Sequence, residues 1–176
     1  MLVVVKKQPL KRKQNTNRFK RSQFKIISYL FLLGWKYSKY CQGNTKTNKF
    51  DIFEIVPEVA YSDDYDTVVD DVKKEQQEKS RPKIKNKIEN IDEYETIYVG
   101  YPNWWGDMPM ILYSFFEDYD LSNKTIAPFC TSGGSRLSDT EKTIQALEPS
   151  ATLVKGLHVS GSASKDATSD IKEWDK

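Results

Sequence analysis

From Asp51 onward the chain alternates short apolar, β-branched runs with segments of helical periodicity, and this rhythm restricts it to few architectures. The strand-like runs are Asp51–Val56, Thr96–Tyr101, Thr125–Cys130 and Thr152–Val159, several of them nearly continuous in apolar residues, as strands covered on both faces are. Between them, Asp64–Lys79 puts Tyr65, Val68, Val69 and Val72 on one helical face, and Arg81-Pro82 ends it. Asp107–Tyr119 offers Asp107 as N-cap, Pro109 in the first turn, and a stripe of Met108, Ile111, Leu112, Phe115 and Tyr119. Ser138-x-x-Glu141 predicts a capping box opening a helix that stops before Pro149, and Asp170–Lys176 reads as the start of a last helix. The expected fold class is α/β, with a parallel sheet, right-handed crossovers and any ligand at the carboxyl ends of the strands.

Charge divides the chain where the pattern changes. Of 27 basic residues, thirteen precede residue 51 with no Asp or Glu among them, and fourteen share the remainder with all 25 acidic residues, a net of −11. Residues 1–25, after the apolar Leu2–Val5, show no periodicity and read as poorly ordered. The 176 residues suit one domain, so the expected organisation is a basic, poorly ordered or aberrant segment over 1–50 and a folded domain over 51–176. The basic arm lacks aromatic interleaving or any recognisable nucleic-acid module, which argues against a nucleic-acid partner. No run reaches the roughly twenty apolar residues of a membrane span. Ile26–Leu33 is short, is followed by Lys36 and Lys39, and has no small-x-small cleavage site, so a cytoplasmic protein is expected, with secretion or attachment through the N-terminal segment as the minor alternative.

Cys41 and Cys130 cannot build a disulfide framework or a zinc site, and Cys130 reads as a small buried hydrophobe. His158 is the single histidine, which excludes a multi-histidine centre, and it reads as structural rather than catalytic. Asp63, Asp64, Asp66, Asp70 and Asp71 read as a solvated helix start, and Tyr94 and Tyr98 as packing residues.

Two loops at strand ends carry the functional signal. The first is Tyr101, Pro102, Asn103, Trp104, Trp105, Gly106, where neighbouring indoles in an extended loop point apart, so at least one is exposed unless a flat ligand or a partner covers it. The second is Thr131, Ser132, Gly133, Gly134, Ser135, whose glycines admit close backbone approach and whose uncharged donors suit a neutral ring better than a bare phosphate.

Together these loops resemble those that wrap the isoalloxazine ring in a bacterial subgroup of the flavodoxin family. Asp51-Ile52-Phe53-Glu54-Ile55, Arg81-Pro82, Gly156-Leu157 and Ser160-Gly161 are similar to the same subgroup in order and spacing, and the resemblance spans about residues 51–175. It implies a three-layer flavodoxin-like sandwich with strand order 2-1-3-4-5 and FMN at its switch point. It also implies electron transfer through non-covalent FMN, with Trp104 or Trp105 over one ring face and Thr131–Ser135 at its edge. No residue is implied as acid, base or nucleophile, and no metal; the acidic surface would suit redox partner proteins with basic surfaces.

The first βαβ unit is incomplete against that pattern. Gly43, Asn44 and Thr45 are the only match to the family's phosphate loop, with Cys41-Gln42 before them where the family has a hydroxyl residue. Between Thr45 and Asp51 lie only Lys46–Phe50, whereas a crossover with its helix takes roughly ten to twelve residues. Three accounts of the first fifty residues stay open: a degenerate member, out-of-frame or misassembled sequence, or a real leader with a rebuilt first strand. Two alternatives to the carrier follow, a flavodoxin-derived chain that binds no flavin and an FMN-dependent reductase. Arg136 stands where the subgroup usually has Gly, and its cation would favour an anionic reduced flavin.

Overall fold

The computed structural model describes residues 1–7 and 50–160. Its strands are β1 (Leu2–Lys7), β2 (Phe50–Glu54), β3 (Tyr94–Pro102), β4 (Thr125–Ser132), β5 (Thr152–Leu153) and β6 (Leu157–Ser160), and its helices are α1 (Tyr65–Gln77), α2 (Met110–Asp118) and α3 (Thr140–Leu147). The strand order is β2-β1-β3-β4-β5, with β6 also paired to β4, which is the 2-1-3-4-5 order of the expected α/β fold. Strands β3, β4, β5 and β6 run parallel, while β1 runs antiparallel to both neighbours.

Strand β1 corrects the reading of residues 1–25 as poorly ordered throughout. Val3 pairs with Phe53 on one side and Val99 on the other and is fully buried. Four apolar residues beside a lysine pair are too few for periodicity to register, so the two-sided pairing makes this strand, not local preference. A second difference is that Thr152–Val159 is two strands. Thr125 pairs with Thr152 but Phe129 with Leu157, so the register slips by one residue across Val154–Gly156.

The parallel strands advance in one direction across the sheet, so right-handed crossovers put α1, α2 and α3 on one face. Helix α2 packs at the centre: Ile111 and Leu112 are fully buried and Phe115 is 1% exposed. These meet Ile97, Val99 and Ile126 of the sheet in one core, each such side chain contributing about 1.5–3 kcal/mol by leaving water. Tyr94 and Tyr98 are buried, as read, and the Tyr94 hydroxyl donates to Asp51 Oδ2 at 2.8 Å.

Helix starts depart from their sequence signals. Asp64 caps α1, accepting from the Thr67 N–H at 2.9 Å, but Tyr65 is 78% exposed and does not share the inner face with Val72. Helix α2 opens at Met110 behind Pro109, not at Asp107. Ser138-x-x-Glu141 forms no capping box: Asp139 precedes the helix without a side-chain cap bond, Ser138 has φ +52°, and Glu141 Oε1 accepts from the Gly156 N–H at 2.8 Å. Glutamate is drawn away because a tertiary donor lies closer to hand than the helix's own first turn. The helix expected from Asp170 and the apolar run Ile26–Leu33 lie outside the described residues.

Candidate functional site

Adjacent parallel strands β3 and β4 deliver the two loops side by side, with Pro102 level with Thr131. The ladder runs one step into the loop, where the Asn103 N–H donates to the Thr131 carbonyl at 2.8 Å. Asn103 then latches the loops together: its Nδ2 donates to the Arg136 carbonyl at 2.9 Å and to Ser138 Oγ at 3.1 Å, and its Oδ1 accepts from the Gly106 N–H at 3.1 Å. One amide side chain thereby joins the two loops through its nitrogen and closes its own loop through its oxygen.

Trp104 and Asp107 exchange both backbone hydrogen bonds, 2.8 and 3.0 Å, and close a tight reversal with Trp105 and Gly106 at its tip. Both tip residues have positive φ, 53° and 81°, the pattern of a type I′ turn. Glycine adopts that geometry freely; tryptophan does so at a cost, and such strain concentrates at working sites. The outcome is an indole lifted from the surface: Trp105 is 53% exposed, with Lys73 Nζ 4.7 Å from its ring centroid, while Trp104 turns down against Tyr61 with centroids 5.8 Å apart. Asp107 braces the base of the turn, accepting from the Met108 N–H at 2.7 Å and from the Tyr113 hydroxyl at 2.5 Å. Burial first, then this carboxylate, pushes the Tyr113 hydroxyl above its ordinary pKa.

Tyr101 is 1% exposed and donates to Thr140 Oγ1 at 2.7 Å, so it supports the loop from the core and presents no polar atom to a ligand. Pro102 is half-buried beside it. In the second loop Thr131 is half-buried, Ser132 buried, and Gly133, Gly134 and Ser135 exposed. A methyl group added to Gly133 or Gly134 would meet nothing within 4 Å, so open space lies over this backbone. The donors are less open than the sequence implies, because the Arg136 and Gly134 N–H groups turn inward onto Ser132 Oγ at 2.8 and 3.3 Å. His158 Nε2 lies 2.8 Å from the same oxygen. Cys130 is fully buried, with its thiol pushed up to about 12 by burial. Gly43, Asn44 and Thr45 lie outside the described residues.

Sequence reasoning passed over Tyr61, Lys73 and the Ser132–His158 pair as parts of this site. Tyr61 and Lys73 reach the Trp turn from the loop before α1 and from α1 itself, contacts that no local pattern encodes. An open groove of about 610 Å³ is lined by Pro57, Tyr61, Glu75, Arg81 and Pro82 among others, and borders the turn through Tyr61. Among the described residues no cluster of His, Cys, Asp and Glu is placed to hold a metal ion, and no helix is long and apolar enough to cross a membrane.

Among the described residues, an exposed indole on one loop and an open, uncharged backbone on the neighbouring loop suit a flat, largely neutral ring.

The sequence matches the family model described as Flavodoxin over residues 26–176. Its structure is similar to that of a protein from Bacteroides uniformis assigned as a flavoprotein, at 33% identity over 69% of this chain and 78% of that one, TM-score 0.60. A protein of the same assignment from Bacteroides eggerthii is 29% identical over 69% and 77% of the two chains, TM-score 0.60. A Lactobacillus acidophilus flavoprotein solved in complex with FMN shares the fold at 20% identity, over 69% and 77%, TM-score 0.53. No curated protein sequence matches the chain.

Proposed function

The chain belongs to the flavodoxin family, and on that premise we propose that it is an electron carrier that holds FMN without a covalent bond. The observation that carries this reading is the Asn103 latch, which ties the loop bearing the half-exposed Trp105 to the loop bearing the open backbone of Gly133 and Gly134, at the carboxyl ends of two parallel strands. A complex with FMN in a neighbour of the same fold supports the choice of cofactor. Bound FMN supplies the one- and two-electron chemistry, and the protein supplies position and electrostatics.

Trp105 covers one face of the ring, and Lys73 backs the indole. Thr131, Ser132, Gly133, Gly134 and Ser135 border the ring's edge, where Gly133 and Gly134 admit close approach. Gly43, Asn44 and Thr45, outside the described residues, would take the phosphate if they form the family's phosphate loop. Arg136, exposed just past the glycines, favours negative charge on the ring. Asp107 stays committed to Met108 and Tyr113 as a brace and takes no part in proton transfer. The excess of acid after residue 50 suits redox partners with basic surfaces.

The test is an FMN titration of the purified chain, followed by flavin fluorescence and the visible absorption band. Saturable quenching with a shifted band is expected; undiminished fluorescence at high micromolar FMN would sink the carrier reading. The inward turn of the Gly134 and Arg136 N–H groups favours the competing reading, a flavodoxin-derived chain that binds no flavin, and the same titration decides between them.

A further inference from the structure

We propose that His158 is a positioning residue for the flavin-facing loop, acting as the hydrogen-bond acceptor that fixes the rotation of the Ser132 hydroxyl; this rests on the carrier reading only for its functional consequence. A serine hydroxyl has one hydrogen to donate and two lone pairs to accept with. Both lone pairs of Ser132 Oγ are taken, by the N–H groups of Arg136 at 2.8 Å and Gly134 at 3.3 Å. The His158 contact at 2.8 Å is therefore left for the hydroxyl hydrogen, and Nε2 must receive it. That requires a neutral imidazole with its proton on Nδ1, a tautomer set by elimination.

Topology makes the reach possible. His158 pairs with Cys130 in the β4–β6 ladder, and Cys130 and Ser132, two apart on one strand, share a face. On that face the Cys130 thiol donates to the Arg136 carbonyl at 3.2 Å, so the loop is held down at Arg136 by its N–H and its carbonyl alike. Ser132 is 7% exposed, and a buried hydroxyl without an acceptor would rotate to find one. Any such rotation swings its lone pairs off Gly134 and Arg136 and frees the backbone that borders the ring. His158 thus holds the loop from the neighbouring strand, through the Ser132 hydroxyl.

Three readouts on the full chain test this. Long-range nitrogen–proton correlation of the single imidazole should show the Nδ1–H tautomer at neutral pH, and the Gly134 and Arg136 amides should exchange slowly, with that protection lost in Ser132→Ala. In FMN titrations His158→Leu should weaken binding about tenfold, the size of one net hydrogen bond, while His158→Gln, which keeps an acceptor, stays within about threefold of the parent. Ser132→Ala combined with His158→Leu should lose no more than Ser132→Ala alone, since the histidine acts only through that hydroxyl. An Nε2–H tautomer, unprotected Gly134 and Arg136 amides, or equal losses in the Gln and Leu variants would each overturn the proposal. Should the parent bind no FMN, the carrier reading fails, and the tautomer and exchange measurements still decide the role of His158; should the Leu variant not fold, the parent spectra and the Gln variant do so.

Discussion

Asn103 and Arg136 stand 33 residues apart in sequence, yet the amide of the first donates to the carbonyl of the second at 2.9 Å and joins the two loops of the site. Replacing Asn103 with Ala removes that bond and leaves the Gly106 N–H without its side-chain acceptor. The expected cost is about 0.5–1.5 kcal/mol in urea denaturation, with weaker FMN binding, because the loops keep only their backbone tie at Thr131. An Asn103→Ala protein as stable as the parent would show that the strands alone set the loop spacing.

Trp105 occupies a left-handed backbone position that asparagine tolerates better. Trp105→Asn should therefore keep or raise the melting temperature while FMN affinity falls at least tenfold, roughly the loss of one stacked ring. Stability and binding falling together would mean that the indole serves chiefly as packing.

The glycines of the two strand ends should respond oppositely to alanine. At Gly100 a Cβ would lie 2.2 Å from Cζ and 2.4 Å from Cε2 of Phe129, a ring buried in the core. Gly100→Ala should cost about 1–3 kcal/mol by overpacking. Gly133→Ala and Gly134→Ala meet only open space and should leave thermal stability nearly unchanged, while a loss of FMN affinity in either would mark that space as the ring's.

Glu148 is 7% exposed, and burial first, then the nearby Asp120 charge, raises its pKa above the ordinary value of 4.5. A raised carboxyl pKa stabilises the fold below the unfolded value, and that contribution is lost as pH rises through the folded one. Glu148→Gln should therefore be more stable than the parent at pH 7, and the difference should vanish as pH falls below about 4.5, as followed by denaturation across pH. A difference that persists in acid would assign the effect to packing.

Arg136 is exposed, just past the paired glycines. If its guanidinium faces the ring as proposed, Arg136→Gln should make bound FMN harder to reduce, and the shift should shrink as salt is added. A spectroelectrochemical titration reads both.

The sequence made the parallel strands legible because residues 97–101 and 126–130 are buried at every position and spell that burial as nearly continuous apolar runs. The two candidate loops stood out for a different reason: adjacent tryptophans and paired glycines are conspicuous at strand ends, where a ligand, a structural Trp pair or a plain Gly turn would each account for them. What did not show were relations between distant segments. Asn103 looks like any turn residue until Arg136 is beside it, Glu141 advertises a cap it does not form, and His158 is neutral scenery until Ser132 points at it. Hydrogen bonds of this kind depend on backbone placement that only the assembled sheet supplies, and so leave no local trace.

Strand β1 has a consequence for how the protein is made. Val3 sits between partners roughly fifty and nearly a hundred residues later in the chain, so on the ribosome it waits, unsatisfied, until most of the domain has emerged. A sheet with an interior strand synthesised long before both its neighbours depends on late, long-range pairing, and until that pairing forms the strand's edges stay bare.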